Sequence, residues 1–310
     1  MQAWLTQRIG RTHLQQRIGV EQDYEARVFG LGRNLFHLEN WYSVHGLIRN
    51  LLRVSGLYGR GRRNARTIRI ERHRVMLPRL PAAFEGFRIL QLSDLHVDMH
   101  EDMPAVLADA VAGLDYDICV LTGDFRARTF GPYEAALAGM RQLRERLQGP
   151  VYGILGNHDS IRMLPGLEGM GIRMLMNESV PLEREGQRLH LAGIDDPHYH
   201  RADNLEKAAD AIPGHEAAVL LAHSPEIYRQ AAYAGFDLML CGHTHGGQIC
   251  LPGGIPLICN ADCPRAYCRG SWRFRTLRGY TSRGSGVSVV DVRLNCPPEI
   301  TLHELRRGEG

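Results

Sequence analysis

The chain has 310 residues, of which 44% are hydrophobic and 23% charged, with a formal net charge of +3. That composition suits a folded globular protein and argues against a disordered or collagen-like chain. No run of about 18 apolar residues occurs, so no transmembrane helix is expected. The opening MQAWLTQRIGRTHLQQRIG lacks the unbroken apolar core of a secretory signal, which makes the cytoplasm the default expectation.

The small net charge hides an asymmetry. Residues 1–80 carry fifteen arginines against five acidic residues, a local charge of +10, and leave the remainder at −7. A basic segment on an acidic body suits an anionic partner such as a membrane surface or nucleic acid, or it is a solvated basic face. Residues 1–65 read as a basic, amphipathic helical extension. Leu35, Leu38, Tyr42, Ile48, Leu51 and Leu52 recur at spacings near three and four, with a break expected around Gly46. Trp41, Tyr42 and the trailing Arg60, Arg62 and Arg63 suit a helix lying at lipid headgroups, in peripheral contact with a membrane. Packing against the body or a second subunit is the other reading.

From residue 66 to 310 the texture is that of one α/β domain. FRILQLSD (87–94), ICVLTGD (118–124), VYGILGNHD (151–159), AAVLLAHS (217–224) and DLMLCGHTH (237–245) each run apolar and then turn polar, as buried strands ending in loops do. MPAVLADAVAGL, YEAALAGMRQLRERL and PEIYRQAAYAG read as helices between them. GIRMLMNESVPLE and RLHLAGIDD read as paired strands, and GVSVVDVRLNCPPEITLHEL alternates like strands of a sheet. The order predicts an α/β fold with two sheets. The seven cysteines are expected to be thiols. Cys250, Cys259, Cys263 and Cys268 crowd together, but their spacings do not make the paired CxxC knuckles of a structural zinc site.

The five buried strands end in polar residues of one kind. Asp94 and His96 follow the first and Asp124 the second. Asn157, His158 and Asp159 follow the third, His223 the fourth, and His243 and His245 the fifth. Strand ends are where α/β sheets bind ligands, so five such ends predict one shared site. Asp94, His96, Asp124, Asn157, His223, His243 and His245 offer seven oxygen and nitrogen donors. That is too many for one four-coordinate zinc and suits two divalent ions, Mn foremost, with Fe or Zn as alternatives. A carboxylate such as Asp124 can bridge them. Two cations clamp the attacking and leaving oxygens of an in-line phosphoryl displacement and acidify a shared water, so the expected substrate is a phosphate ester. His243 and His245, at i and i+2 of an extended stretch, are expected to point the same way, with Gly242, Gly246 and Gly247 leaving the approach clear.

The ordered set SDLH, GD, GNHD, AHSPE and GHTHGGQ resembles the calcineurin-like metallophosphoesterase superfamily over about residues 85–305, and within it a bacterial branch of small phosphodiesterase-type members. The resemblance implies a four-layer αββα sandwich with a dinuclear centre. Asp94, His96 and His245 would bind one metal, Asn157, His223 and His243 the other, and Asp124 would bridge. His158 would protonate the leaving alkoxide or stabilise charge developing on phosphorus, oriented by Asp159, while a metal-bridging hydroxide attacks. Arg126 and Arg128, just past the bridging Asp124, would bind a phosphate oxygen. The implied activity is that of a phosphodiesterase or pyrophosphatase. Some relatives act on UDP-2,3-diacylglucosamine, which makes a lipid-linked substrate one expectation. A nuclease and a non-catalytic scaffold are the alternatives. No aromatic stacking platform supports nucleic acid, and every ligand position is filled, which argues against a scaffold.

Overall fold

The computed structural model describes residues 1–29, 41–256 and 258–308. Leu35 and Leu38 of the expected amphipathic helix, and the side chains of Trp41 and Tyr42, lie outside the described residues.

Among the described residues, four helices precede the first strand: α1 (Gln2–Ile9), α2 (Arg11–Phe29), α3 (Trp41–Val54) and α4 (Leu57–Ala65). Helix α3 runs through Gly46 without the expected break. A first sheet then gathers β1 (Arg69–Leu77), β2 (Arg88–Leu92), β3 (Ile118–Leu121), β4 (Val151–Gly153) and β5 (Ile172–Met174). A second gathers β6 (Glu178–Arg184), β7 (Gln187–Gly193), β8 (Ala218–Leu221) and β9 (Leu238–Cys241). A small hairpin of β10 (Cys250–Leu251) and β11 (Ile255–Pro256) follows. Strands β12 (Gly270–Phe274) and β13 (Leu277–Thr281) return to the second sheet, and β14 (Glu299–Arg307) to the first. The orders are β1-β14-β2-β3-β4-β5 and β12-β13-β9-β8-β7-β6. Strands β2, β3 and β4 are parallel neighbours, as are β7, β8 and β9, so each set delivers its C-terminal ends to one edge.

The sequence alternation sorts these strands into layers. In β8, Val219 and Leu221 join the core between the two sheets, while Ala218 and Leu220 face the core beneath α8 (Leu205–Ala209) and α9 (Tyr228–Tyr233). In β2, Ile89 faces the inter-sheet core. Leu90 and Leu92 face an outer core shared with α5 (Met103–Val111), α6 (Glu134–Arg144) and α7 (Leu164–Gly169). The result is a helix–sheet–sheet–helix sandwich, with the two sheets expected from the strand pattern and the four layers implied by the resemblance.

Two features depart from the expectations, and the first two N-terminal helices take one of the two readings left open. Helices α1 and α2 are built into the body: Leu5, Ile9 and Leu14 are fully buried in the outer core of the first sheet, each contributing about 1.5–3 kcal/mol. In GVSVVDVRLNCPPEITLHEL only residues 299–307 form a strand. The alternation of Val287, Val290, Val292 and Leu294 is that of a loop lying against the body. Thiols are corrected at one pair, Cys259 and Cys268, which form a disulfide because the turn between them brings their Cα atoms to 6.3 Å. Cys250 and Cys263 remain free.

Candidate metal centre

The polar ends of β2, β3 and β4 meet those of β8 and β9 where the two sheets come together. Backbone bonds lace the loops: Asp94 N–H donates to Gly123 O, His96 N–H to Asp124 O, and Gly242 N–H to His223 O. Asp94, Asp124, His96, His223, His243 and His245 are buried, and Asn157 is half-buried.

Two overlapping donor sets result. Asp94, His96 and His245 present ligand atoms within 4.8 Å of one another, as do Asp94, Asp124 and His223. His96 Nε2 lies 3.2 Å from His245 Nε2, which is 3.4 Å from Asp94 Oδ1. On the other side Asn157 Oδ1 lies 2.9 Å from His223 Nε2 and 2.8 Å from His243 Nδ1. Asp124 stands between, its Oδ2 3.3 Å from His223 Nε2 and 3.8 Å from His96 Nε2.

The tautomers follow from the backbone. His96 Nδ1–H donates to Arg126 O and His223 Nδ1–H to Thr122 O, both at 2.7 Å, so each turns a bare Nε2 into the site when neutral. Bare nitrogens then face carboxylate and amide oxygens, acceptor against acceptor. Such a cluster calls for a positive charge at its centre. The titration behaviour agrees. Burial opposes a charge on His223, yet Asp124 overrides it and raises the imidazole to about 10. Burial, with the Asp124 charge nearby, pushes Asp94 up to about 6. Burial drives His96 down to about 4 and His243 to about 3, so both are neutral donors at ordinary pH. His243 Nε2 is buried without a hydrogen-bond partner. Residues of this kind fit divalent cations.

Local backbone makes the convergence. Asp94, His96, Asp124, His243 and His245 all adopt positive φ, between 41° and 71°, a left-handed conformation uncommon for residues with side chains. This corrects the expected extended geometry of CGHTHGGQ. With φ of 71° and 50°, His243 and His245 point apart, one to Asn157 and the other to His96. The glycine requirement is sharpest at Gly242, where a Cβ would lie 1.8 Å from Ser93 Oγ and 2.3 Å from Asp94 Oδ2. Gly156, missed by sequence reasoning, is also tight: a Cβ there would meet Asp124 Oδ1 at 2.3 Å.

His158 stands at the rim, its side chain 21% exposed, with Nε2 3.9 Å from Asp124 Oδ2 and Nδ1 3.2 Å from Thr129 Oγ1. Thr129, not Asp159, touches its ring. The Asp159 carboxylate instead accepts the backbone N–H groups of Asp124, Phe125, Arg126 and Gly156, fixing the loop that carries Asp124. Arg126 is buried, and its guanidinium turns inward to donate to the carbonyls of His158, Thr129 and Gly131. Arg128 is exposed. Sequence reasoning also missed His198. Its ring lies 4.2 Å from that of His243, and its Nδ1 is 2.8 Å from Glu226 Oε1. A His-Glu pair 28 residues apart leaves no local sequence signal.

Residues 87–247 match the family model of the calcineurin-like phosphoesterases, and the chain belongs to that family of metal-binding phosphoric ester hydrolases. It is 30% identical to the metallophosphoesterase YkoQ of Bacillus subtilis over 239 residues, 73% of this chain and 86% of that protein. It is also 30% identical to the phosphodiesterase YaeI of Escherichia coli over 251 residues, 76% of this chain and 87% of the relative. The metallophosphoesterase YkuE of Bacillus subtilis is 27% identical over 271 residues, 82% of this chain and 92% of its own length.

Proposed function

We propose that the chain is a dinuclear phosphodiesterase or pyrophosphatase. The observation that carries this reading is the pair of donor clusters, Asp94–His96–His245 and Asn157–His223–His243, with Asp124 standing between them 3.8 Å from His96 and 3.3 Å from His223. Asp94, His96 and His245 would hold one divalent ion, Asn157, His223 and His243 the other, and Asp124 both. When bound, the ions supply Lewis acidity to the phosphoryl group and acidify a water for in-line attack. The protein's own residues do the rest. Carbonyls of Arg126 and Thr122 orient His96 and His223. Asp159 holds the amides around Asp124. His158, braced by Thr129 at Nδ1, would deliver a proton from Nε2 to the leaving oxygen. Of the two arginines that follow Asp124, Arg128 is the exposed one and would meet a phosphate oxygen.

The substrate reading is a phosphoester carried on lipid. Its support is the outer face of α3. Leu47, Leu51 and Val54 are 59%, 60% and 89% exposed along one stripe, Arg49 and Arg53 are exposed elsewhere on the same helix, and residues 41–66 include no acidic side chain. A UDP-linked diacylglucosamine is one compound of this class. The YaeI name supports a diester over a monoester for this chain.

The test is to strip the purified protein of metal, restore Mn²⁺, and compare bis-p-nitrophenyl phosphate with the monoester. Turnover of the diester should require metal and fall about 10²-fold or more in His158→Ala. Preference for the monoester would overturn the diesterase reading, and full activity of His158→Ala would remove the assigned acid.

A further inference from the structure

Helix α2 lies outside the region matched to the family, which begins at residue 87, yet it reaches the back of the metal centre. Its inward face carries Leu14, Arg17 and Glu21, at i, i+3 and i+7. Leu14 is ordinary core. The other two are charged and buried, at 0% and 8% exposure, which is costly unless each charge is paired and fully used.

The two pair with each other, Arg17 Nη1 lying 3.4 Å from Glu21 Oε1 without a hydrogen bond, and both also reach the loops that form the site. Arg17 donates from Nη2 to the carbonyl of Asp159 at 2.9 Å, and its Nε lies 3.2 Å from Asp195 Oδ2. The Glu21 carboxylate accepts from Ser160 Oγ and from Ile161 N–H, both at 2.7 Å. Asp159–Ile161 continues directly from Asn157 and His158 at the end of β4, in the first sheet. Asp195 follows β7, in the second sheet, and opens the turn that carries His198. One guanidinium therefore spans the loops of both sheets, and His13, one turn earlier, adds a second contact to Asp195 at 2.8 Å.

We propose that Arg17 and Glu21 are positioning residues: α2 is a strap that sets the Asn157–His158 loop against the opposite sheet, so that His158 meets the phosphoester at the correct distance. The inference rests on the reading of His158 as the acid. A displacement of about 1 Å at such a group costs up to roughly 10²-fold in rate, whereas the same bonds lost elsewhere cost stability alone.

The experiment is a double-mutant cycle on Mn²⁺-loaded protein with bis-p-nitrophenyl phosphate. Arg17→Met is expected to lower kcat about tenfold or more with KM changed less than about twofold. In the His158→Ala background the same change should cost less than about twofold, because the group it positions is gone. Glu21→Gln, which keeps an acceptor for one of the two donors, should show the same pattern at smaller size, and Arg17→Lys should recover part of kcat. These two variants carry the test if Arg17→Met fails to fold. Equal losses in both backgrounds, or folded Arg17→Lys and Glu21→Gln with unchanged kcat, overturn the strap. A fully active His158→Ala would instead remove the reading beneath it, so the two failures are distinguishable.

Discussion

Asp124 and His223 show how a single contact sets the electrical demand of the site. Fully buried, they sit 3.3 Å apart, the imidazole raised to about 10 and the carboxylate held well below its usual range. In protein freed of metal the proton on His223 stands in for the cation. A folded-state value above the unfolded 6.5 gives stabilisation that is fully present below pH 6.5 and is lost as pH rises through about 10. Metal-free protein should therefore lose stability across that window in urea titrations. His223→Asn should flatten the slope. A wild-type slope no steeper than the variant's would mean that the pair does not carry the charge. The convergence of these residues was legible in the sequence, because imidazoles and carboxylates do not end five apolar runs by chance. Their backbone was not. Nothing in CGHTHGGQ tells an extended stretch from one in which His243 and His245 adopt left-handed φ and diverge. The inward turn of Arg126 was equally hidden, since its partners are carbonyls, which every residue has.

At the scale of elements, the strands are plain in the sequence because burial on both faces writes a continuous apolar run, as in ICVL and LMLC. The N-terminal helices are harder. The inward face of α2 includes Arg17 and Glu21 where a core helix would carry apolar residues, so its packing could not be seen in periodicity. Segment 287–296 misleads in the opposite sense. Its alternating valines cover Leu52 of α3, while Gln248 Nε2 takes the carbonyls of Ser288 and Val290 that a ladder would otherwise use. Helix α3 is thus held by one stripe, Ile48 and Leu52, and presents the next, Leu47, Leu51 and Val54. Vesicles containing anionic lipid should sediment the protein, and neutral vesicles should do so less. Leu51→Glu with Val54→Glu should cut binding about tenfold or more and leave bis-p-nitrophenyl phosphate turnover unchanged. Binding that survives the double variant would assign the contact elsewhere. Self-association abolished by the same change would make the stripe a protein interface.

The whole molecule is organised around a seam. Asp94, His96, Asp124 and Asn157 come from the first sheet, and His223, His243 and His245 from the second. A ligand held by both couples the sheets, so its removal should be felt globally. A metal present at about 100 times its Kd adds about 2.7 kcal/mol, and chelation should lower Tm by about 4 °C in calorimetry. An unchanged Tm after verified metal loss would mean that the sheets are joined well enough without it.

The five left-handed ligand positions carry a further consequence for how this sequence can change. At each, glycine or asparagine would relax the backbone, and at Asp94 either would also remove a carboxylate that burial disfavours. Under the proposed function, residues assigned to the chemistry are thus held in a backbone conformation that favours glycine. A lineage bred for heat tolerance alone would be drawn to discard them, and only the need to turn over substrate would hold them in place.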